Sequence, residues 1–163
     1  MILEPIPSAF LMGLARFSVP ELRWAYDNGL IGAQTVVDLA RAMVAREDSS
    51  PELVVQLAEA LHADLRDVTQ LLENVSPGGD HTEIKRKWTW VVLSWAYERH
   101  RDDARAPEVL EELYADLGYP EEMVPFGPYA PAFQGVRDPT DVRREIMHEW
   151  RSYLEHGAEL FAS

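Results

Sequence analysis

Ile84-Lys-Arg-Lys-Trp88-Thr-Trp90-Val-Val-Leu-Ser-Trp95-Ala-Tyr97 is the stretch on which the reading of the fold turns. It holds three of the five tryptophans in the chain. At helical spacing Ile84, Trp88, Val91, Val92 and Trp95 share one face. Trp90, Leu93 and Tyr97 make a second apolar face about 100° round. A helix that is apolar on most sides must be covered by other helices. The stretch therefore predicts a central helix over 82–101 in an all-α protein, a single globular domain (1–163) of about seven or eight helices.

The flanks of this helix are basic. Arg99, His100 and Arg101 at its end complement the helix dipole, whereas Lys85, Arg86 and Lys87 at its start oppose it and call for acidic neighbours. Upstream, residues 18–75 read as helical hairpins. Ser8 is expected to cap a short helix over 9–16. Ser18, with Pro20 and Glu21 behind it, caps the next, which stops at Asn28-Gly29. A helix over 33–46 turns Val36, Val37, Ala40, Met43 and Val44 inward. A helix over 52–62 carries a Leu53, Leu57, Leu61 stripe, and one over 65–75 follows Asp64. Ser76-Pro-Gly-Gly-Asp80 is the strongest breaker in the chain. Downstream, 107–139 reads as an acidic helix followed by a proline-rich loop, and 140–161 as a last helix capped by Asp138. No internal period and no useful strand alternation is present.

Composition excludes several classes. There is no cysteine, so disulfides and thiolate zinc sites are ruled out. The net charge is −13, which repels nucleic acid and anionic membranes and suits a basic protein partner. The start, Met1-Ile-Leu-Glu-Pro-Ile-Pro7, has neither a basic n-region nor a long apolar run, so a cytoplasmic protein is expected. No phosphate loop, nucleophile elbow or other specific catalytic motif occurs, and no cofactor is expected.

Two constellations remain. Glu59-Ala-Leu-His62 and Glu145-Ile-Met-His148 each place a carboxylate and an imidazole on one helix face, the spacing used in di-iron bundles. That pattern also needs two more inward glutamates, and Glu73 and Glu83 flank the breaker and do not fit. A metal-dependent enzyme built on Glu59, His62, Glu145 and His148 is one alternative; a structural homo-oligomer using the last helix is another. The second constellation is acidic. Glu108, Glu111, Glu112, Asp116, Glu121 and Glu122 run without an intervening basic residue, and Tyr129 lies in the loop beyond. Such a run is either a solvated face or a docking surface that steers a cationic protein. Within it, Tyr114-Ala-Asp116-Leu-Gly118-Tyr119-Pro120 is a helix end. Gly118 permits the left-handed turn, Pro120 forbids continuation, and Tyr114 and Tyr119 are expected to lie on the central helix.

Lys87-Trp88-x-Trp90-x-x-Leu93-x-Trp95-x-Tyr97, then Glu111-x-x-Tyr114-Ala-Asp116-x-x-Tyr119-Pro120-Glu121-Glu122 and Tyr129-x-Pro131, resemble a family of small bacterial proteins of unknown function. Ala25-Tyr-Asp-Asn-Gly-Leu-Ile31 also resembles theirs, so the likeness spans about residues 18–131 and leaves out the last helix. The resemblance carries no catalytic residue. It implies a non-enzymatic protein-binding protein similar to immunity proteins, which neutralise a toxin encoded next door. Joined to the charge, this makes a cationic toxin the expected partner and the acidic run the expected surface.

Overall fold

The computed structural model describes residues 5–46, 52–58, 65–74 and 81–162, and every regular element among them is helical. In chain order these are α1 (Ser8–Leu14), α2 (Val19–Asp27), α3 (Ala33–Ala45), α4 (Glu52–Ala58), α5 (Leu65–Glu73), α6 (His81–His100), α7 (Ala106–Asp116) and α8 (Pro139–Phe161). Short 3-10 turns at Glu121–Met123 and Pro131–Phe133 interrupt the stretch between α7 and α8. The Trp-rich stretch thus forms the predicted helix. The contacts divide the chain into two compact units, Pro5–Trp88 and the part from Thr89 onward. The division falls inside α6; the Ser76–Asp80 breaker lies outside the described residues, as do Leu61 and the end expected for its helix.

In the first unit α3 is the element against which α1, α2, α4 and α5 pack. Its inner face is Val36, Val37, Leu39 and Ala40, all buried, while Val44 is 37% exposed. The expected stripe therefore ends early, and Leu39, which it left out, is buried as well. Ser18 caps α2 as its spacing predicts, its Oγ accepting the Glu21 N–H at 3.4 Å. Ser8 does not cap α1. Pro7 holds the cap position, and the Ser8 hydroxyl donates instead to Asp38 on α3 at 3.0 Å. Tyr26 and Thr69 join α2 to α5 through their hydroxyls at 2.8 Å.

The first two turns of α6 close this unit through Lys87 and Trp88. Trp88 is fully buried, stacks on Phe17 at 4.8 Å and donates its indole N–H to the Glu21 carbonyl at 2.9 Å. Lys87 meets the Glu21 carboxylate at 2.7 Å, donates to the Arg16 carbonyl at 2.5 Å and lies over the Phe17 ring. Arg86 pairs with Glu83 at 2.9 Å. The basic start of α6 finds the acidic neighbours that its clash with the dipole demands. The two pairs differ in weight. Lys87 and Glu21 are 13% and 19% exposed, so water screens them little; the Arg86 pair is more than half exposed and contributes a fraction of a kcal/mol at most.

The second unit is built on the rest of α6 and on α8. Trp90 reaches Leu154, Gly157 and Phe161; Tyr97 meets Trp150 edge-on at 5.2 Å; the carbonyls of Arg101 and Asp103 accept from Arg143. Each step up α6 matches a step down α8, so the two run antiparallel. Trp150 is fully buried and stacks parallel to Phe126 of the loop at 6.4 Å. The Trp90 indole donates to the Leu154 carbonyl at 3.1 Å and occupies the space beside Gly157.

Gly157 lies inside α8, towards its end, where glycine is normally a liability of about 1 kcal/mol relative to alanine. A Cβ there would overlap the Trp90 ring and stand 2.5 Å from its Nε1. The ring is 2% exposed and hydrogen-bonded, so it has no room to retreat. Overpacking of this kind costs about 1–3 kcal/mol and exceeds the helix-propensity gain. Gly157→Ala should therefore lower the thermal midpoint by several degrees. Gly13→Ala, at a helical position with nothing within 4 Å, should leave the midpoint unchanged or raise it. Calorimetry on both variants checks the contrast, and a stable Gly157→Ala protein would contradict the packing described.

Candidate functional site

α7 is amphipathic because its apolar residues recur every three or four positions. Val109, Leu110 and Leu113 are buried, and Glu108, Glu111, Glu112 and Asp116 are exposed on the other side. The turn before it is set by Asp103, whose carboxylate accepts the Arg105 N–H at 2.8 Å. That bond, more than the nearby His100 and Arg105 charges, holds the Asp103 carboxyl below its ordinary range.

At its end α7 closes in a Schellman motif: the Tyr119 N–H bonds back to the Tyr114 carbonyl at 2.8 Å and the Gly118 N–H to Ala115 at 3.1 Å. Gly118 has φ +77°, as the sequence requires, but Tyr119 follows it at φ +58°. A tyrosine in this region is strained by about 1–2 kcal/mol, and it is the one non-glycine with positive φ among the described residues. The consequence is where the ring goes. Tyr119 is 65% exposed, so it does not lie buried on α6 as expected; it meets Tyr114 edge-on at 5.2 Å. Tyr129, 77% exposed, meets the same Tyr114 ring at 6.2 Å. Two consecutive left-handed residues turn the chain outward before Pro120, which is the physical reason for the difference.

These rings wall a groove of about 600 Å³. Glu108, Glu111 and Tyr114 form its α7 side, and Tyr119, Tyr129 and Phe133 are among the residues facing them. Glu108 is engaged by Arg105 at 3.0 Å, whereas Glu111 is exposed and has no partner among the described residues. Of the acidic run, the groove gathers Glu108 and Glu111, with Tyr129 of the loop. Glu112, Asp116 and Glu121 are exposed outside it, and Glu122 is half-buried near Tyr153 of α8. Sequence reasoning missed Tyr119 and Phe133 as surface groups. A signal existed, since aromatic residues in a proline-rich loop have few ways to be covered from both sides.

A second groove, about 850 Å³, borders the start of α8 and carries Arg137, Arg143 and Arg144. Its first two guanidinium groups are structural. Arg137 holds Glu145 at 2.6 Å, and Arg143 donates to the carbonyls of Arg101 and Asp103 at 3.1 and 3.0 Å, tying the start of α8 to the segment just past α6. Of the residues considered for metal, Glu145 is thus bound to Arg137, His148 is exposed, and Glu59 and His62 lie outside the described residues. Among the described residues no group of three or more His, Cys, Asp or Glu side chains converges as a metal would need. No helix among them is long and apolar enough to cross a membrane.

Two outcomes follow from this geometry. Tyr119→Ala and Tyr119→Gly both remove the ring contact, but only glycine relieves the positive φ. The glycine variant should be the more stable of the two by about 1 kcal/mol in denaturant titration. Burial, and after it the Glu122 carboxylate, pushes the Tyr153 hydroxyl well above its ordinary value of 10.0. The fold favours the neutral phenol, so the stability this carries is intact below about pH 10 and is lost as pH rises further. The thermal midpoint should fall through that alkaline window, and Tyr153→Phe should blunt the fall while changing the midpoint little at neutral pH.

No curated protein and no solved structure matches the chain. A family model does, described as an uncharacterized protein conserved in bacteria, and it covers residues 9–158. It extends into the last helix, beyond the 18–131 span that the sequence motifs suggested. The chain belongs to this bacterial family, DUF2247.

Proposed function

We propose that the protein is a non-enzymatic protein-binding protein that receives a cationic partner on α7 and the loop after it, and that its role is that of an immunity protein against a basic toxin. One observation carries the reading. Tyr119, Val124, Tyr129, Phe133 and Val136 are five of the eight large apolar residues exposed among the described residues, and all fall within 119–136. Scattered exposed apolar residues are ordinary, but Tyr119, Tyr129 and Phe133 line one groove with Glu108 and Glu111 of α7, and that combination suits an interface. The aromatic groups supply contact area, and the α7 carboxylates supply charge complementarity and faster encounter. The net charge of −13 acts in the same direction.

The natural ligand to try is the product of the gene adjacent to this one in its genome. Calorimetric titration should show saturable binding that weakens with salt, and co-expression should restore growth of cells producing that protein. Glu111→Lys with Glu112→Lys should weaken binding about tenfold or more without lowering the thermal midpoint, because both side chains are exposed. Absence of both binding and protection would overturn the proposal.

A further inference from the structure

We infer that the groove between α7 and Tyr129 is a receptor for a single arginine side chain presented by the partner. The inference rests on the binding function proposed above and names the chemistry of its central contact. Tyr114 is common to two ring contacts: Tyr119 and Tyr129 meet it at interplanar angles of 80° and 71°, edge-on and not stacked, and all three rings line the groove. Edge-on contacts leave faces of Tyr119 and Tyr129 unstacked, and a groove lined by three tyrosines can offer such electron-rich faces to an organic cation. Glu111 stands at the same groove as an exposed carboxylate with no partner among the described residues. Glu108, already bridged to Arg105, shows that this edge accommodates a guanidinium at 3.0 Å. Arginine fits better than lysine because its planar, weakly hydrated head can lie flat on a tyrosine face while it donates edge-on to a carboxylate.

The backbone position of Tyr119 and Tyr129 is also imposed. Tyr119 points outward because the backbone holds it at φ +58°, and the bond from its own N–H to the Tyr114 carbonyl fixes that turn relative to Tyr114. The loop is held by a close approach. The Gly127 N–H bonds to the Met123 carbonyl at 2.6 Å, and a Cβ at Gly127 would come within 2.8 Å of that oxygen. Tyr129, two residues on, inherits that placement. The backbone that carries the two rings is therefore set before any ligand arrives.

The test uses the full chain and two small probes, N-acetyl-arginine methylamide and its uncharged isostere N-acetyl-citrulline methylamide. Tyrosine ring signals are followed by NMR. The arginine probe should shift the signals of Tyr114, Tyr119 and Tyr129 saturably, and the citrulline probe should bind about fivefold or more weakly. Tyr129→Ala should abolish the response and Glu111→Gln should weaken it, both in protein whose circular dichroism matches the parent. Equal responses to the two probes, or an unchanged response in Tyr129→Ala, would overturn the inference. A neighbouring gene product that binds tightly but is indifferent to Tyr129→Ala would overturn it too, while leaving the broader binding function standing. Arginine binding without any such partner would have the opposite meaning.

Discussion

Burying an indole is cheapest where its N–H finds an acceptor, and in this protein Trp88 and Trp90 each give theirs to a main-chain carbonyl of another helix, whereas the buried Trp150 N–H has no partner among the described residues. Burying one tryptophan removes about 200 Å² from water, worth about 5 kcal/mol before the entropy of ordering is set against it. The hydrogen bond adds about 1 kcal/mol and so does not decide whether the ring is buried. It decides where. Trp88 satisfies its N–H beside the first turn of α2, and Trp90 beside the late turns of α8. Each compact unit is organised by one of these two bonds. Removing the acceptor in either case would leave a polar group buried without a partner.

The helices were largely legible in the sequence because their signals are local. Periodicity placed the Trp-rich helix to within a residue at each end, and Ser18 and Asp138 marked starts that the structure confirms through side-chain bonds. The basic start of the same helix asked for acidic neighbours and has them in Glu83 and Glu21. What stayed hidden depends on partners distant in the chain. Ser8 looks like a cap until Asp38, thirty residues on, competes for its hydroxyl. Val44 and Leu39 are equally apolar, and only the helices packed on α3 choose between them. Gly157 reads as a defect in a helix, since nothing near it reveals the ring it makes room for.

The candidate site was legible in charge and not in shape. The acidic face of α7 follows from spacing alone. The groove does not, because it depends on two torsion angles at Gly118 and Tyr119, and one of them belongs to a residue that rarely adopts it. An expectation based on hydrophobicity buries Tyr119; the backbone exposes it. The loop from 125 to 139 contributes a wall only because Phe126 is drawn under Trp150 and Tyr153, which leaves Tyr129 and Phe133 on the outer side. The basic groove beside it shows the converse. There three arginines suggest an anion site, yet Arg143 is engaged by the carbonyls of Arg101 and Asp103, Arg137 by Glu145 and Arg144 by Asp141.

The pairing of Trp90 with Gly157 has a meaning for descent as well as for packing. Positions 90 and 157 behave as one heritable character written in two places. A lineage that acquires any side chain at 157 must first, or at once, accept a smaller group at 90, and one that keeps the tryptophan must keep the glycine. Intermediates that change 157 alone pass through a less stable protein. Drift at either site is therefore slow and coordinated, and the two columns of any set of descendants should vary together or not at all.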